Sequence, residues 1–160
     1  MSEALQNLNE NLRGQVELYN EALTLEEHKR QALIKNNLQE IESITVQEEL
    51  LIIKVNRLEK ERLLWAQQIG QELGKKPEDL TLIELVEHFP VLEEVCLNLD
   101  RVVAQLKEIH EINSQLLQQA MKIVDYSLGL MTHQESSTYT YPGQRENEVN
   151  KKRHLMDWRI

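Results

Sequence analysis

The sequence predicts an all-α fold, an elongated antiparallel bundle of three long helices plus one short helix, followed by a flexible C-terminal tail. Apolar residues recur every three or four positions over long stretches, which is the helical period. The 160 residues include three prolines and five glycines, and 4% are aromatic while 28% are charged. This composition is typical of long amphipathic helices with aliphatic seams. We expect residues 1–131 to form the bundle and residues 132–160 a mobile segment.

The first predicted helix covers residues 2–35, with Ser2 as its N-terminal cap. Its apolar stripe consists of Leu5, Leu8, Leu12, Val16, Tyr19 and Leu23. The pair Asn36-Asn37 predicts a turn, because asparagine competes for backbone hydrogen bonds and caps helices well.

The second predicted helix covers residues 38–73. Its seam consists of Leu38, Ile41, Ile44, Leu51, Val55, Leu58, Trp65, Ile69 and Leu73. The β-branched run Ile44-Thr45-Val46 is a position where this helix can loosen or break briefly. Gly74 is the expected C-terminal cap, with Pro77 beyond it.

A short third helix is predicted for residues 81–88, capped by Asp79 or Thr81 and ended by Pro90. The last predicted helix covers residues 91–131. Its seam consists of Val95, Leu99, Val102, Leu106, Ile109, Asn113, Leu116, Ala120, Ile123 and Leu130.

The segment 132–160 interrupts the helical pattern. It contains few aliphatic residues until its end, and Pro142-Gly143 indicates a turn. It carries five Lys or Arg against four acids, whereas the formal charge of the chain is −9. The apolar residues at its end predict that this mobile segment docks somewhere. They are Leu155, Met156, Trp158 and Ile160.

The charge of −9 disfavours nucleic acid or an anionic membrane as a general partner. No apolar run approaches the ~20 residues needed to span a bilayer, so no membrane insertion is expected. A single cysteine, Cys96, excludes an intramolecular disulfide and favours a cytoplasmic location. Nucleotide-binding loops, HExxH and paired Glu-x-x-His motifs are missing from the sequence. We therefore expect neither a cofactor nor a metal, and a binding protein rather than an enzyme.

Four short motifs carry a family resemblance. Residues 45–51 read T-x-x-E-x-L-L, and residues 58–62 read L-E-x-x-R. Residues 109–117 are similar to L-N-x-x-N-x-x-L-L, with Ile109 in place of the first leucine and His110 in place of the first asparagine, so that Asn113 alone of the two asparagines carries over. Residues 139–144 read Y-x-x-x-G-Q. In this order the motifs resemble those of the FlgN flagellar export chaperones.

The resemblance implies a cytoplasmic chaperone for the hook–filament junction proteins FlgK and FlgL. It would hold the C-terminal helix of its substrate, prevent self-association and deliver the substrate to the flagellar type III export gate. The family's binding region is the C-terminal part, and its tail tyrosine, here Tyr139, is linked to docking at the gate. The expected partner-binding residues are Asn113, Leu116, Leu117, Ile123, Val124, Leu130, Tyr139, Gly143, Leu155 and Trp158.

The pairs Leu116-Leu117 and Ile123-Val124 widen the apolar stripe enough to contact two neighbouring helices, although the same positions also suit a core seam. Other interpretations stay open at this point. They are a coiled-coil structural or scaffold protein of a secretion machinery, an export chaperone for another substrate, and an enzyme on a helical bundle, with or without a metal. The sequence is compatible with a monomer or a dimer.

Overall fold

The computed structural model describes residues 2–135 and the side chains of residues 2–133. Within this range the fold is all-α, as predicted. The helices are α1 (Glu3–Ile34), α2 (Leu38–Glu72), α3 (Leu82–His88) and α4 (Glu93–Glu135), with 3-10 turns at Pro77–Asp79 and Pro90–Leu92. The chain divides into two units, residues 1–118 and residues 119–160.

Side-chain caps start three of the helices where the sequence predicted them. The backbone N–H of Leu5 donates to the Ser2 hydroxyl at 3.3 Å, and the N–H of Glu40 donates to the Asn37 side chain at 3.3 Å. Thr81 caps α3 in a capping box, in which the Glu84 carboxylate also accepts from the Thr81 backbone. These bonds satisfy N–H groups that have no partner within the helix.

The end of α2 also follows the predicted signal. Gly74 has a φ of +69°, a left-handed conformation that glycine adopts without steric cost. The N–H of Lys75 donates to the Gly70 carbonyl at 2.9 Å, which satisfies one of the last carbonyls of α2. The chain can therefore leave α2 abruptly and continue through Pro77 toward α3.

Some of the sequence-based expectations were wrong. Helix α2 does not break at residues 44–46: Ile44 is buried, and the Thr45 hydroxyl donates back to the Ile41 carbonyl at 2.9 Å. Leu38 is exposed rather than part of the seam, because it is the first residue after the turn. Helix α4 begins two residues later than predicted, after the 3-10 turn, and extends to Glu135.

Helices α1 and α2 pack antiparallel in the first unit. The Asn11 amide donates to the Leu58 carbonyl at 3.0 Å, and Lys29 pairs with Glu48 at 3.2 Å, so residue numbers rise on one helix as they fall on the other. Helix α4 runs parallel to α1, since Asn113 meets Glu26 whereas the early residues of both helices share one core cluster.

That cluster draws its buried side chains from all four helices and the 3-10 turn before α4. Trp65 is half-buried against it, as its seam position predicted. Burying large aliphatic side chains contributes about 1.5–3 kcal/mol each, and this burial is the main stabilisation of such a bundle. The buried members are Ala4, Leu5, Leu8, Leu12, Ile69, Leu85, Leu92 and Val95.

Candidate partner-binding surface

The acid of the T-x-x-E-x-L-L motif lies between helices. The Glu48 carboxylate on α2 pairs with the Lys29 ammonium on α1 at 3.2 Å, and both side chains are about four-fifths buried. Burial is the largest influence and raises the pKa of Glu48, Lys29 lowers it and the nearby Glu26 raises it, so that the pKa lies above its ordinary value. This part of the motif therefore contributes to the contact between α1 and α2.

The motif asparagine on α4 is also an internal contact. Asn113 is buried, and its amide donates to the backbone carbonyl of Glu26 at 2.8 Å and to the Glu26 carboxylate. His110 lies one turn earlier on α4, with its Nδ1 3.6 Å from the same carboxylate. Glu26 itself is buried and accepts from the Asn113 amide, whereas the Asn113 Oδ1 atom is buried without a hydrogen-bond partner among the described residues.

The L-E-x-x-R motif of α2 also lies against α1. The Leu58 side chain approaches within 3.3 Å of the position of a Cβ on Gly14, and its carbonyl accepts from Asn11. The Arg62 guanidinium pairs with Glu59 at 2.9 Å. Both charges lie near the Tyr19 hydroxyl, whose pKa is raised chiefly by burial and then by Glu59. Glu48 and Leu58 of α2 and Asn113 of α4 thus each contact α1.

One apolar stripe of α4 is buried in the first part of the helix and exposed in the last part. At intervals of seven residues, Val95, Val102 and Ile109 are each less than 5% exposed. The next positions in that series are Leu116, which is half-buried, and then Ile123 and Leu130, which are 67% and 52% exposed. The same stripe that forms core in residues 95–109 is therefore open to solvent in residues 123–130.

We use the name α4 surface for the exposed apolar residues between positions 123 and 131 that lie on the stripe or directly beside it. The opposite side of the helix carries Lys122 and Asp125, so the segment is amphipathic. Within the described residues, no protein group covers these apolar side chains. They are Ile123, Val124, Leu128, Leu130 and Met131.

The predicted partner-binding residues divide into three groups. Ile123, Val124 and Leu130 belong to the α4 surface, and Leu117 is exposed earlier on the same helix. Leu116 is half-buried and Asn113 is buried, so in this conformation Asn113 is engaged by Glu26 and not by a partner. The remaining four predicted residues lie outside the described residues, namely Tyr139, Gly143, Leu155 and Trp158.

Sequence reasoning missed two residues of this surface, Leu128 and Met131. Both follow Val124 at helical spacing, four and seven residues later, so extending the stripe by one turn would have found them. Exposed Tyr126 lies to one side of the stripe and is not included.

Among residues 2–133 there is no group of three or more His, Cys, Asp or Glu arranged to hold a metal ion. Cys96 is half-buried, and burial, followed by the charge of Asp100, raises the pKa of its thiol, which disfavours the reactive thiolate. None of the described helices has both the length and the apolarity to cross a membrane.

An exposed amphipathic stretch of helix is a surface on which another helix can dock. A family model described as "FlgN protein" matches residues 1–147. The chain therefore belongs to the FlgN family of flagellar export chaperones. Comparisons with curated proteins and with solved structures give no match.

Proposed function

We propose that this chain is a cytoplasmic chaperone that binds the C-terminal helices of the hook–filament junction proteins FlgK and FlgL. It then delivers them to the flagellar type III export gate. Family membership supports the chaperone role. The observation that supports the choice of site is the α4 stripe, which is buried at Ile109 and open at Ile123.

The α4 surface suits an amphipathic helix as its ligand. Val124, Leu128 and Met131 follow the i, i+4, i+7 spacing, and Ile123 and Leu130 widen the stripe on one side. A substrate helix that lays its own apolar face here would exclude water from both surfaces. The helix-forming end of the substrate would then be unable to pair with another copy of itself before export.

The negative charge of the chain fits a role that avoids nucleic acid and anionic lipid. Delivery to the export gate rests on the tail motif at residues 139–144, in which Tyr139 is the candidate docking residue. Gly143, Leu155 and Trp158 stay proposed contacts in the same segment.

The test is co-purification of this chain with FlgK and with FlgL from the same organism, each with and without its C-terminal segment. We expect a complex that requires that segment and that weakens when Ile123→Gln and Val124→Gln are combined. The matched control is Ile83→Gln on α3, an exposed isoleucine outside the α4 surface. Failure of both proteins to bind would contradict the proposed substrates, and equal binding by the double variant would contradict the site.

A further inference from the structure

A second apolar stripe runs along the outer side of α2. Val46, Leu50, Ile53 and Leu64 are each more than half exposed. Together with Arg57 and Lys60 they form a series with alternating steps of four and three residues. We refer to residues 46, 50, 53, 57, 60 and 64 as the α2 stripe.

The α2 stripe is not part of the bundle core. The buried side of α2 carries Ile44, Leu51 and Ile69, which lie roughly opposite the stripe at 100° per residue. A surface helix normally needs one apolar face, and α2 has two. Alternation of four and three keeps a seam in contact with one partner helix over several turns when the two helices supercoil, which is the pattern of a coiled coil.

Two cations occupy the middle of the α2 stripe. Arg57 makes an exposed pair with Glu61 at 3.3 Å, a contact that contributes little in water. Lys60 has no ion pair within the described part of the chain. Cations at two neighbouring seam positions favour a partner that carries carboxylates at the facing positions.

A second copy of the chain matches this stripe poorly. In a parallel pairing, Arg57 and Lys60 would each face their own counterparts, and like charges in facing positions repel. In an antiparallel pairing centred near Val55, Arg57 would face Ile53 and Lys60 would face Leu50, so neither cation would meet a seam carboxylate. The flanking Lys54 side chains of the two copies would also lie close together.

We propose that the α2 stripe docks an amphipathic helix of another protein, with aliphatic seam residues at both ends and carboxylates opposite Arg57 and Lys60. The aliphatic ends supply apolar burial, and the central carboxylates fix the register by pairing with the two cations. This surface is separate in sequence from the α4 surface and does not depend on the proposed substrates. It provides the chain with a second partner site.

The test uses the full chain and two synthetic helical peptides labelled with a fluorophore. Both peptides carry leucine at the seam positions near their two ends. They differ at the two central seam positions, which hold glutamate in one peptide and lysine in the other. Fluorescence anisotropy measures binding to the parent chain. We expect the glutamate peptide to bind at least about tenfold more tightly, since facing opposite charges replace facing like charges.

Three double variants at exposed positions locate the site. We expect Leu50→Gln combined with Ile53→Gln to lower the affinity for the glutamate peptide by about tenfold through lost apolar burial. Arg57→Glu with Lys60→Glu should reverse the preference between the peptides. The matched control, Ile123→Gln with Val124→Gln, removes apolar contacts on α4 and should leave the preference unchanged. Thermal unfolding followed by circular dichroism confirms that each variant folds.

Equal binding of the two peptides, or full binding by the Leu50 and Ile53 variant, would overturn the proposal. Loss of the preference in the α4 control would overturn it as well, because the charge-sensitive site would then lie on α4. Sedimentation of the free chain tests whether a second copy of the chain occupies the α2 stripe instead. A dimer that dissociates in the Leu50 and Ile53 variant would assign the stripe to a second copy instead.

Discussion

The amide of Asn113 on α4 donates a hydrogen bond to the backbone carbonyl of Glu26 on α1, at 2.8 Å and in a buried position. The two residues are 87 positions apart in the chain, so this bond fixes the register of the two parallel helices. The Glu26 carbonyl accepts this bond from one specific residue of α4. Asn113 therefore ties α4 to α1 at the level of Glu26.

Asn113→Ala should lower the free energy of unfolding of the chain. The buried Glu26 carboxylate loses a donor and the side chain leaves a small cavity, which together cost about 1–3 kcal/mol. Urea unfolding followed by circular dichroism measures the change. Gln115→Ala, at an exposed position of the same helix, is the control and should stay within about 0.5 kcal/mol of the parent. An unchanged midpoint for Asn113→Ala would show that the bond does not contribute to stability.

The raised pKa of Glu48 predicts a pH-dependent stability with a definite sign. The ordinary pKa is near 4.5, and burial raises the value in the folded chain. The folded state therefore holds this proton to higher pH than the unfolded state does. As the pH rises from about 4.5 through the folded pKa, Glu48 makes the folded state progressively less stable, and the loss is complete above that pKa.

Glu48→Gln removes this ionisation. We expect the free energy of unfolding of the variant, relative to the parent, to increase between pH 4 and pH 7, as measured by urea titrations at several pH values. In Lys29→Met, the free energy of unfolding should fall more with rising pH than it does in the parent, because the substitution removes the charge that lowers the pKa of Glu48. The opposite slope for Glu48→Gln would mean that the Lys29 pair outweighs burial.

Two glycines should respond oppositely to alanine. Gly74 has a φ of +69° in open space, so Gly74→Ala incurs left-handed backbone strain of about 1–2 kcal/mol and lowers the urea midpoint. Gly129 lies within α4 with no atom near its Cβ position, on the same side as Lys122 and Asp125. Gly129→Ala should stabilise the helix locally by about 1 kcal/mol.

Hydrogen exchange of the amides in residues 122–133 measures the second effect, and we expect roughly fivefold slower exchange in Gly129→Ala. Partner binding should be kept, because the substitution lies away from the α4 surface. Faster exchange would indicate that Gly129 is needed for a bend in the helix.

The sequence was sufficient where a structural feature depends on neighbouring residues. Ser2, Asn37, Thr81 and Gly74 define helix ends through bonds within a few residues. Ser2 and Gly74 were predicted as caps, Asn37 as part of a turn, and Thr81 as one of two candidate caps. The seam residues Leu5, Leu8 and Leu12 were predicted for the same reason, since helical spacing places them on one face.

Features that depend on distant residues were harder to predict. The role of Asn113 as a contact to Glu26 could not be read from α4 alone, because the two residues meet through the packing of separate helices. The run at residues 44–46 was interpreted as a weak point, whereas Val46 begins the α2 stripe. The alternating four and three spacing from that residue onward was present in the sequence and would have revealed the stripe.

The most direct test of the α4 surface is the affinity of the chain for the isolated C-terminal segment of FlgK, measured by titration calorimetry. We predict that Ile123→Gln combined with Val124→Gln weakens binding by at least about tenfold through lost apolar burial. Ile83→Gln should leave the affinity unchanged. If the double variant binds as tightly as the parent, the substrate helix does not dock on the exposed stretch of α4, and the proposed site is wrong.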